Sequence, residues 1–143
     1  MFDITKKRAV DTAEIELVEA DGSPLYDDKG NRLTVTICGP GTKTWQQADA
    51  ERSRRKVVRV EKNRGKLSAA VDGAEKDEID FLCAVTVSFN GWEYPHPEKD
   101  GKWPSQRDMF HAAYSDSTIG YIRDHVSKEA NDWSAFTAGS KSA

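Results

Sequence analysis

Alternation of polar and apolar residues marks the first regular part of the chain. Residues 14–19 alternate charged and apolar side chains, and residues 32–37 alternate in the same way and are rich in β-branched residues. A period of two is typical of a strand that buries one face. The linking sequence reads DGSPLYDDKGN, whose Gly, Pro and Asn favour turns. The pattern predicts a β-hairpin over residues 13–38 with a long connecting loop.

A helical period follows the sequence Gly-Pro-Gly at 39–41. Residues 43–62 are predicted to form a helix that Thr42 or Thr44 caps. The apolar members of this helix are Trp45, Ala48, Val57, Val58 and Val60. Because its middle reads ERSRRKVVR, only a narrow stripe can be buried. Residues 63–72 have no clear period and are predicted to form a mobile loop or a weak helix end.

The next segment begins with acidic residues and then becomes apolar. Acidic residues near the start complement the dipole of a helix. The apolar face would consist of Ile79, Leu82, Cys83 and Val87. The pattern favours a helix from residue 74 or 75 to about 87, and the β-branched run 85–87 leaves a strand as the alternative. We expect Gly91 to end this helix in the left-handed conformation. Three prolines then predict an irregular connection over residues 94–104.

Residues 105–136 predict two amphipathic helices joined by a short turn. Ser105 stands three residues before Asp108, as a helix N-cap does. After the turn, apolar residues recur at helical spacing at Ile119, Ile122, Val126 and Ala130. Trp133 and Phe136 close the segment. Since strands come first and helices follow, the chain is predicted to be α+β, with an N-terminal β-hairpin appended to a mostly helical body of about four helices.

Composition fits one domain that carries a single basic segment. We predict one domain over residues 1–138, with the hairpin at 13–38, the helical body at 43–138 and a flexible tail at 139–143. No apolar run approaches the ~20 residues that cross a bilayer, so no membrane association is expected. The start of the chain also lacks the apolar stretch of a signal peptide. Residues 43–66 hold nine Lys or Arg against three acids, although the net charge of the chain is −3.

Residues that commonly carry chemistry do not occur at catalytic or metal-binding spacings. His96, His111 and His125 form no His-x-x-x-His pair. Cys38 and Cys83 are far apart and are expected to be reduced and buried. The sequence GPGTKT lacks the spacing of a phosphate loop, and DDKGN lacks the ligands of a calcium loop. We therefore expect a protein that is not an enzyme and needs no metal or cofactor.

Two sets of side chains are candidates for binding a partner. The first set is the arginines of the basic helix: Arg52, Arg54, Arg55 and Arg59. Their charge is predicted to exceed what folding needs and to meet an acidic protein or an acidic patch on another copy. No aromatic residues interleave with them, so a protein partner is favoured, and nucleic acid bound by residues 43–66 is the alternative. The second set is aromatic; some of its members are expected to belong to the core, and a few are expected to line a groove: Trp92, Trp103, Trp133 and Phe136.

The most distinctive stretches are IGYIRDHV at 119–126 and NDWSAF at 131–136, preceded by FNGW and WPS. Their order resembles the tail assembly chaperones of long-tailed bacteriophages, over roughly residues 2–136. The resemblance rests on helix-packing patterns. It implies a non-enzymatic protein of the host cytoplasm that binds the tape measure protein, keeps its hydrophobic helices soluble and helps recruit tail tube subunits. A structural virion component, such as a head–tail connector or minor tail protein, is the alternative from another class.

Overall fold

Three antiparallel strands and four α-helices form the α+β fold of this computed structural model, which describes residues 1–62 and 73–137. The strands are β1 Thr12–Glu16, β2 Thr34–Cys38 and β3 Thr86–Asn90. The α-helices are α1 Lys43–Lys62, α2 Ala74–Val85, α3 Gln106–Ser115 and α4 Gly120–Ala130. Three short 3-10 helices are Ile4–Lys7, Ser117–Ile119 and Trp133–Phe136. The predicted loop at 63–72 and tail at 139–143 lie outside the described residues.

The predicted hairpin is present as β1 and β2, but it belongs to a larger sheet. β1 pairs antiparallel with β2, with Ile15 opposite Val35. β3 pairs antiparallel with the other side of β2, and a bulge lies between Thr36 and Ile37. The strand order is therefore β1-β2-β3. The predicted α+β class with a mostly helical body of four helices is confirmed, whereas the hairpin is only roughly matched, because the strand after α2 joins it as a third strand.

The segment after residue 73 divides between a helix and a strand. α2 ends at Val85, and Thr86 already has the extended backbone angles φ −76° and ψ 127°. β-branched side chains favour extended backbone, so the helix ends before the predicted residue 87 and the alternative strand forms directly after it. Gly91 does have a positive φ of 84°. Because it follows β3, its predicted role as a helix cap is wrong.

The core lies between the inner face of the sheet and the helices α2, α3 and α4. Its largest fully buried side chains are Tyr114, Phe81, Phe136, Leu17, Ile37, Leu82, Val35, Val85 and Val126. The Tyr114 hydroxyl lies 2.8 Å from the Thr86 hydroxyl, and burial raises the pKa of this phenol. The predicted core face of α4 is confirmed, since Ile122 and Ala130 are buried with Val126.

α1 buries much less than the other helices. Ala48 is its buried residue, and Trp45 is half-buried against Phe81, with ring centroids 5.4 Å apart. The prediction of a narrow buried stripe is confirmed for this end of the helix. Val57 and Val58, which were expected to belong to the stripe, are exposed. Apolar burial therefore explains little of how α1 is held in place beyond its first turns.

Side-chain oxygens cap the helices where the sequence predicted them. The Ser105 hydroxyl accepts a hydrogen bond from the N–H of Asp108 at 3.2 Å. The Thr42 hydroxyl accepts from the N–H of Trp45 at 3.2 Å, which selects Thr42 as the cap of α1. A side-chain oxygen at this position satisfies one of the N–H groups that a helix leaves unpaired at its start.

Candidate partner-binding surfaces

The arginines of α1 form ion pairs with the carboxylates of α2. Three arginines each lie close to one carboxylate: Arg52 is 2.6 Å from Glu78, Arg55 is 2.5 Å from Asp80, and Arg59 is 2.8 Å from Asp77. The arginines follow one another at intervals of three and four residues, so they share one helix face. The expectation that their charge exceeds what folding needs is wrong, because the fold uses it to join α1 to α2.

The environment of these pairs gives them more weight than ordinary surface ion pairs. An exposed pair contributes about 0–1 kcal/mol, whereas removing one partner of a buried pair leaves a charge without compensation. The side chain of Asp77 is 7% exposed, and that of Arg59 is 23% exposed. The pairs therefore stabilise a helix that has few buried apolar side chains.

Arg52 connects three parts of the molecule. Its guanidinium lies 3.8 Å from the centroid of the Phe81 ring, 2.6 Å from Asp49 and 3.0 Å from the Asn131 side-chain oxygen. Burial by itself lowers the pKa of Arg52, but the hydrogen bonds and charges of Asp49 and Glu78 outweigh it and raise the pKa. Arg52 thus remains charged and ties α1 to α2 and to the residue after α4.

Arg54 is the exception among the four predicted arginines. It pairs with Glu51 of the same helix at 2.5 Å, and its side chain is 61% exposed. The hydrogen bond from Arg54 holds the pKa of Glu51 below its usual value. Arg54 therefore faces solvent, and its predicted role in binding a partner stays a prediction.

Trp92 and Trp103 are half-buried and hold the connection after β3. The Trp92 ring stacks on Phe89, with centroids 3.9 Å apart, and its indole N–H donates to the carbonyl of Thr34 at 3.0 Å. The indole N–H of Trp103 donates to the carbonyl of Tyr94 at 2.7 Å. Each indole therefore has a structural partner inside the protein, and partner binding by either stays a prediction.

Phe136 is fully buried, so its predicted contact with a partner is wrong. Its carbonyl accepts a hydrogen bond from the N–H of Val10 at 2.7 Å. Its ring lies so close to Gly39 that a Cβ there would be 2.7 Å from Cδ1. Gly39, the first glycine of the Gly-Pro-Gly sequence, thus makes room for this ring. Apolar spacing alone does not reveal such a contact between residues almost one hundred positions apart.

Trp133 is exposed and borders a cleft at the end of the sheet. The side chain is 59% exposed, and the cleft beside it measures about 410 Å³. The other residues that line the cleft are Lys6, Lys7, Arg8, Ala9, Ser134 and Thr137. We call this the Trp133 cleft. The N-terminal wall of this cleft was not predicted from the sequence. The three successive cations that follow Phe2 and Ile4 in MFDITKKRAV could have indicated a binding surface there.

The start of the chain also exposes apolar side chains. Phe2 is 65% exposed, Ile4 is 73% exposed and Val10 is 38% exposed. The short helix Ile4–Lys7 is held by Asp3, whose carboxylate accepts from the N–H of Thr5 at 3.0 Å. The N-terminal segment therefore exposes apolar side chains before and after residues 6–9, the basic stretch that lines the Trp133 cleft.

The two cysteines differ in burial. Cys83 is buried as predicted, and burial raises its pKa to about 11; Cys38 is only half-buried. Within residues 1–62 and 73–137, no group of His, Cys, Asp and Glu could hold a metal ion. No helix in this part of the chain is both long and apolar enough to cross a membrane.

Comparisons with family models, curated proteins and solved structures found no match for this chain.

Proposed function

We propose that this protein is a tail assembly chaperone of a long-tailed bacteriophage, which acts in the host cytoplasm without catalysing a reaction. The observation that carries the proposal is the exposed Trp133 at a cleft whose other wall is the basic stretch 6–9, in an N-terminal segment that also exposes Phe2 and Ile4. Exposed apolar side chains gathered at one end of a molecule mark a surface for binding another protein. A chaperone that keeps hydrophobic helices soluble needs such a surface.

The sequence stretches that resemble the family include Trp133 and the helix that precedes it. The stretch IGYIRDHV lies largely in α4, and NDWSAF contains the short helix Trp133–Phe136. α4 contributes buried residues to the core, whereas Trp133 faces solvent. The proposed division is therefore a core face on α4 and a client surface beside it. The proposed client is the tape measure protein, and the tail tube subunits are the proposed second partner.

The alternative of nucleic-acid binding through residues 43–66 is less well supported, because three of its arginines already have carboxylate partners. Arg52, Arg55 and Arg59 are engaged with the carboxylates of α2, which compete with phosphate groups for the same guanidinium groups. A structural virion component differs from a chaperone in remaining in the particle. Mass spectrometry of purified particles distinguishes them, because an assembly chaperone is absent from the finished virion.

Co-expression with the tape measure protein of the same phage tests the proposal. A tagged wild-type chain is expected to retain the tape measure protein through purification. Trp133→Ala should reduce the retained amount severalfold, because it removes the exposed ring at the cleft. Val57→Ala removes an equally exposed apolar side chain from α1 and serves as the control, for which retention should be unchanged. Equal retention by the Trp133→Ala and wild-type chains would contradict the proposed client surface.

A further inference from the structure

Two exposed and oppositely charged surfaces lie beyond the two ends of β1. One is the Trp133 cleft with its three cations, Lys6, Lys7 and Arg8. The other is the turn region of the hairpin, residues 19–31, which we call the hairpin tip; its carboxylates are Glu19, Asp21, Asp27 and Asp28. None of these charged side chains takes part in an ion pair within the described part of the chain. The arginines of α1 and α4, in contrast, are paired.

The hairpin tip holds its shape through its own acidic side chains. The Asp21 carboxylate accepts from the N–H of Ser23 at 2.9 Å. The Asp27 carboxylate accepts from the N–H groups of Lys29 and Asn31, each at 2.8 Å. Hydrogen bonding lowers the pKa of both carboxyls. The largest contribution comes from the Ser23 hydroxyl for Asp21 and from the Asn31 N–H for Asp27. A turn that is ordered before binding loses less entropy when it docks.

We infer that the hairpin tip of one copy docks in the Trp133 cleft of a second copy. The charges match, since residues 4–10 carry three cations and no acid, while residues 19–31 carry four acids and one Lys. Tyr26 at the tip is 54% exposed and offers an aromatic ring to the equally exposed Trp133. Aromatic rings favour such contacts in edge or offset geometry, and opposite charges around them set the orientation.

The placement of the two surfaces requires a head-to-tail contact. The N-terminal wall of the cleft precedes β1, and the tip follows it. The five residues of β1 span roughly 16 Å at about 3.3 Å each, and this length of strand separates the tip from the N-terminal wall of the cleft in the same chain. A contact between two different surfaces repeats from copy to copy and builds chains or closed rings.

A second copy fits the cleft better than a nucleic acid does. An exposed tryptophan beside cations could also stack a base and bind a phosphate. However, the whole chain has a net charge of −3, and its acidic tip repels a polyanion. The same tip supplies a fixed, exposed and oppositely charged occupant that is always present at the concentration of the protein itself.

This self-association does not depend on the proposed chaperone function, because it involves the purified protein alone. If Trp133 also contacts a client, the tip of a neighbouring copy and the client compete for one surface. Failure of client binding would leave the self-association intact, and the reverse also holds. The two proposals are therefore tested separately.

Sedimentation velocity of the full chain, at rising protein concentration in low and in high salt, tests the inference. The weight-average mass should rise with concentration at low salt and return to that of the monomer at about 1 M NaCl, where the Debye length is about 3 Å. Two neutralised variants separate the surfaces. The cleft variant combines Lys6→Gln, Lys7→Gln and Arg8→Gln. The tip variant combines Glu19→Gln and Asp28→Asn, which keeps Asp21 and Asp27, the carboxylates that accept from backbone N–H groups of the turn.

Each variant alone should remain monomeric at low salt. An equimolar mixture should form a dimer and nothing larger, since only the intact tip of one variant and the intact cleft of the other can meet. A control variant with Lys43→Gln, Lys56→Gln and Lys62→Gln loses the same charge from exposed positions of α1 and should associate like the wild type. Circular dichroism of every variant checks that the fold is kept.

Three results would overturn the inference. The first is a wild-type chain that stays monomeric at every concentration in low salt. The second is a mixture of well-folded variants that stays monomeric while the wild type associates. The third is a monomeric wild-type chain that binds a single-stranded oligonucleotide and loses this binding in the cleft variant, which would assign the cleft to nucleic acid.

Discussion

At the scale of single residues, Gly39 sets the position of the C-terminal aromatic helix. A Cβ on this residue would lie 2.7 Å from Cδ1 of Phe136 and 3.1 Å from the carbonyl oxygen of Val10. Both neighbours are held: the Phe136 ring is fully buried, and Val10 donates its N–H to the Phe136 carbonyl. The absence of a side chain at Gly39 therefore allows the N-terminal segment, the end of β2 and the C-terminal helix to meet.

Gly39→Ala is predicted to lower the free energy of unfolding by about 1–3 kcal/mol, the usual cost of overpacking a core. Gly41→Ala is the matched control, because its Cβ would come no closer than 3.8 Å to Trp133. Urea denaturation measures both variants. If Gly39→Ala unfolds at the same urea concentration as Gly41→Ala, the close approach of Phe136 is not a constraint on the fold.

Ile122 and Trp133 are predicted to differ in what they contribute. Ile122 is 8% exposed on the core face of α4, so Ile122→Ala should cost roughly 2–5 kcal/mol of stability. Trp133→Ala should cost less, because that side chain is mostly in solvent already. Thermal melting compares the two variants. A larger loss for Trp133→Ala would show that the exposed ring, and not α4, stabilises the fold.

At the scale of elements, the most unusual contact is between α1 and α2. The limits of α1 were predicted from the sequence, because Gly-Pro-Gly stops the preceding strand and a Thr cap follows. The partner of its arginines was not predicted, since the carboxylates of α2 are 18 to 26 residues away along the chain. Local periodicity shows that charges share a helix face, but not which other helix that face meets.

A charge exchange between α1 and α2 tests the structural role of these arginines. Arg55→Glu should destabilise the fold by about 1–2 kcal/mol, between the values for exposed and buried pairs, because it places a carboxylate beside Asp80. Adding Asp80→Arg should restore part of this loss. Arg54→Glu, at an exposed position one residue earlier, is the control and should change stability much less. Equal losses for the two single variants, with no recovery in the double variant, would contradict the ion-pair account.

At the scale of the whole molecule, the sequence predicted the α+β class but not how the sheet is completed. Alternation identified β1 and β2 because each carries its own period of two. β3 pairs with β2 across about 50 residues of sequence. The only sequence pattern that predicts β3 is the β-branched run 85–87, and α2 ends within that run. The Trp133 cleft escaped prediction for a similar reason, since its two walls come from opposite ends of the chain.

The solubility of the tape measure protein tests the central proposal most directly. The phage tape measure protein would be produced alone, with the wild-type chain and with the Trp133→Ala variant, and the soluble fraction of each lysate measured. We predict that it is insoluble alone, soluble with the wild-type chain and largely insoluble with the variant. A tape measure protein that stays insoluble beside a well-folded wild-type chain, or that is equally soluble without it, would contradict the proposal.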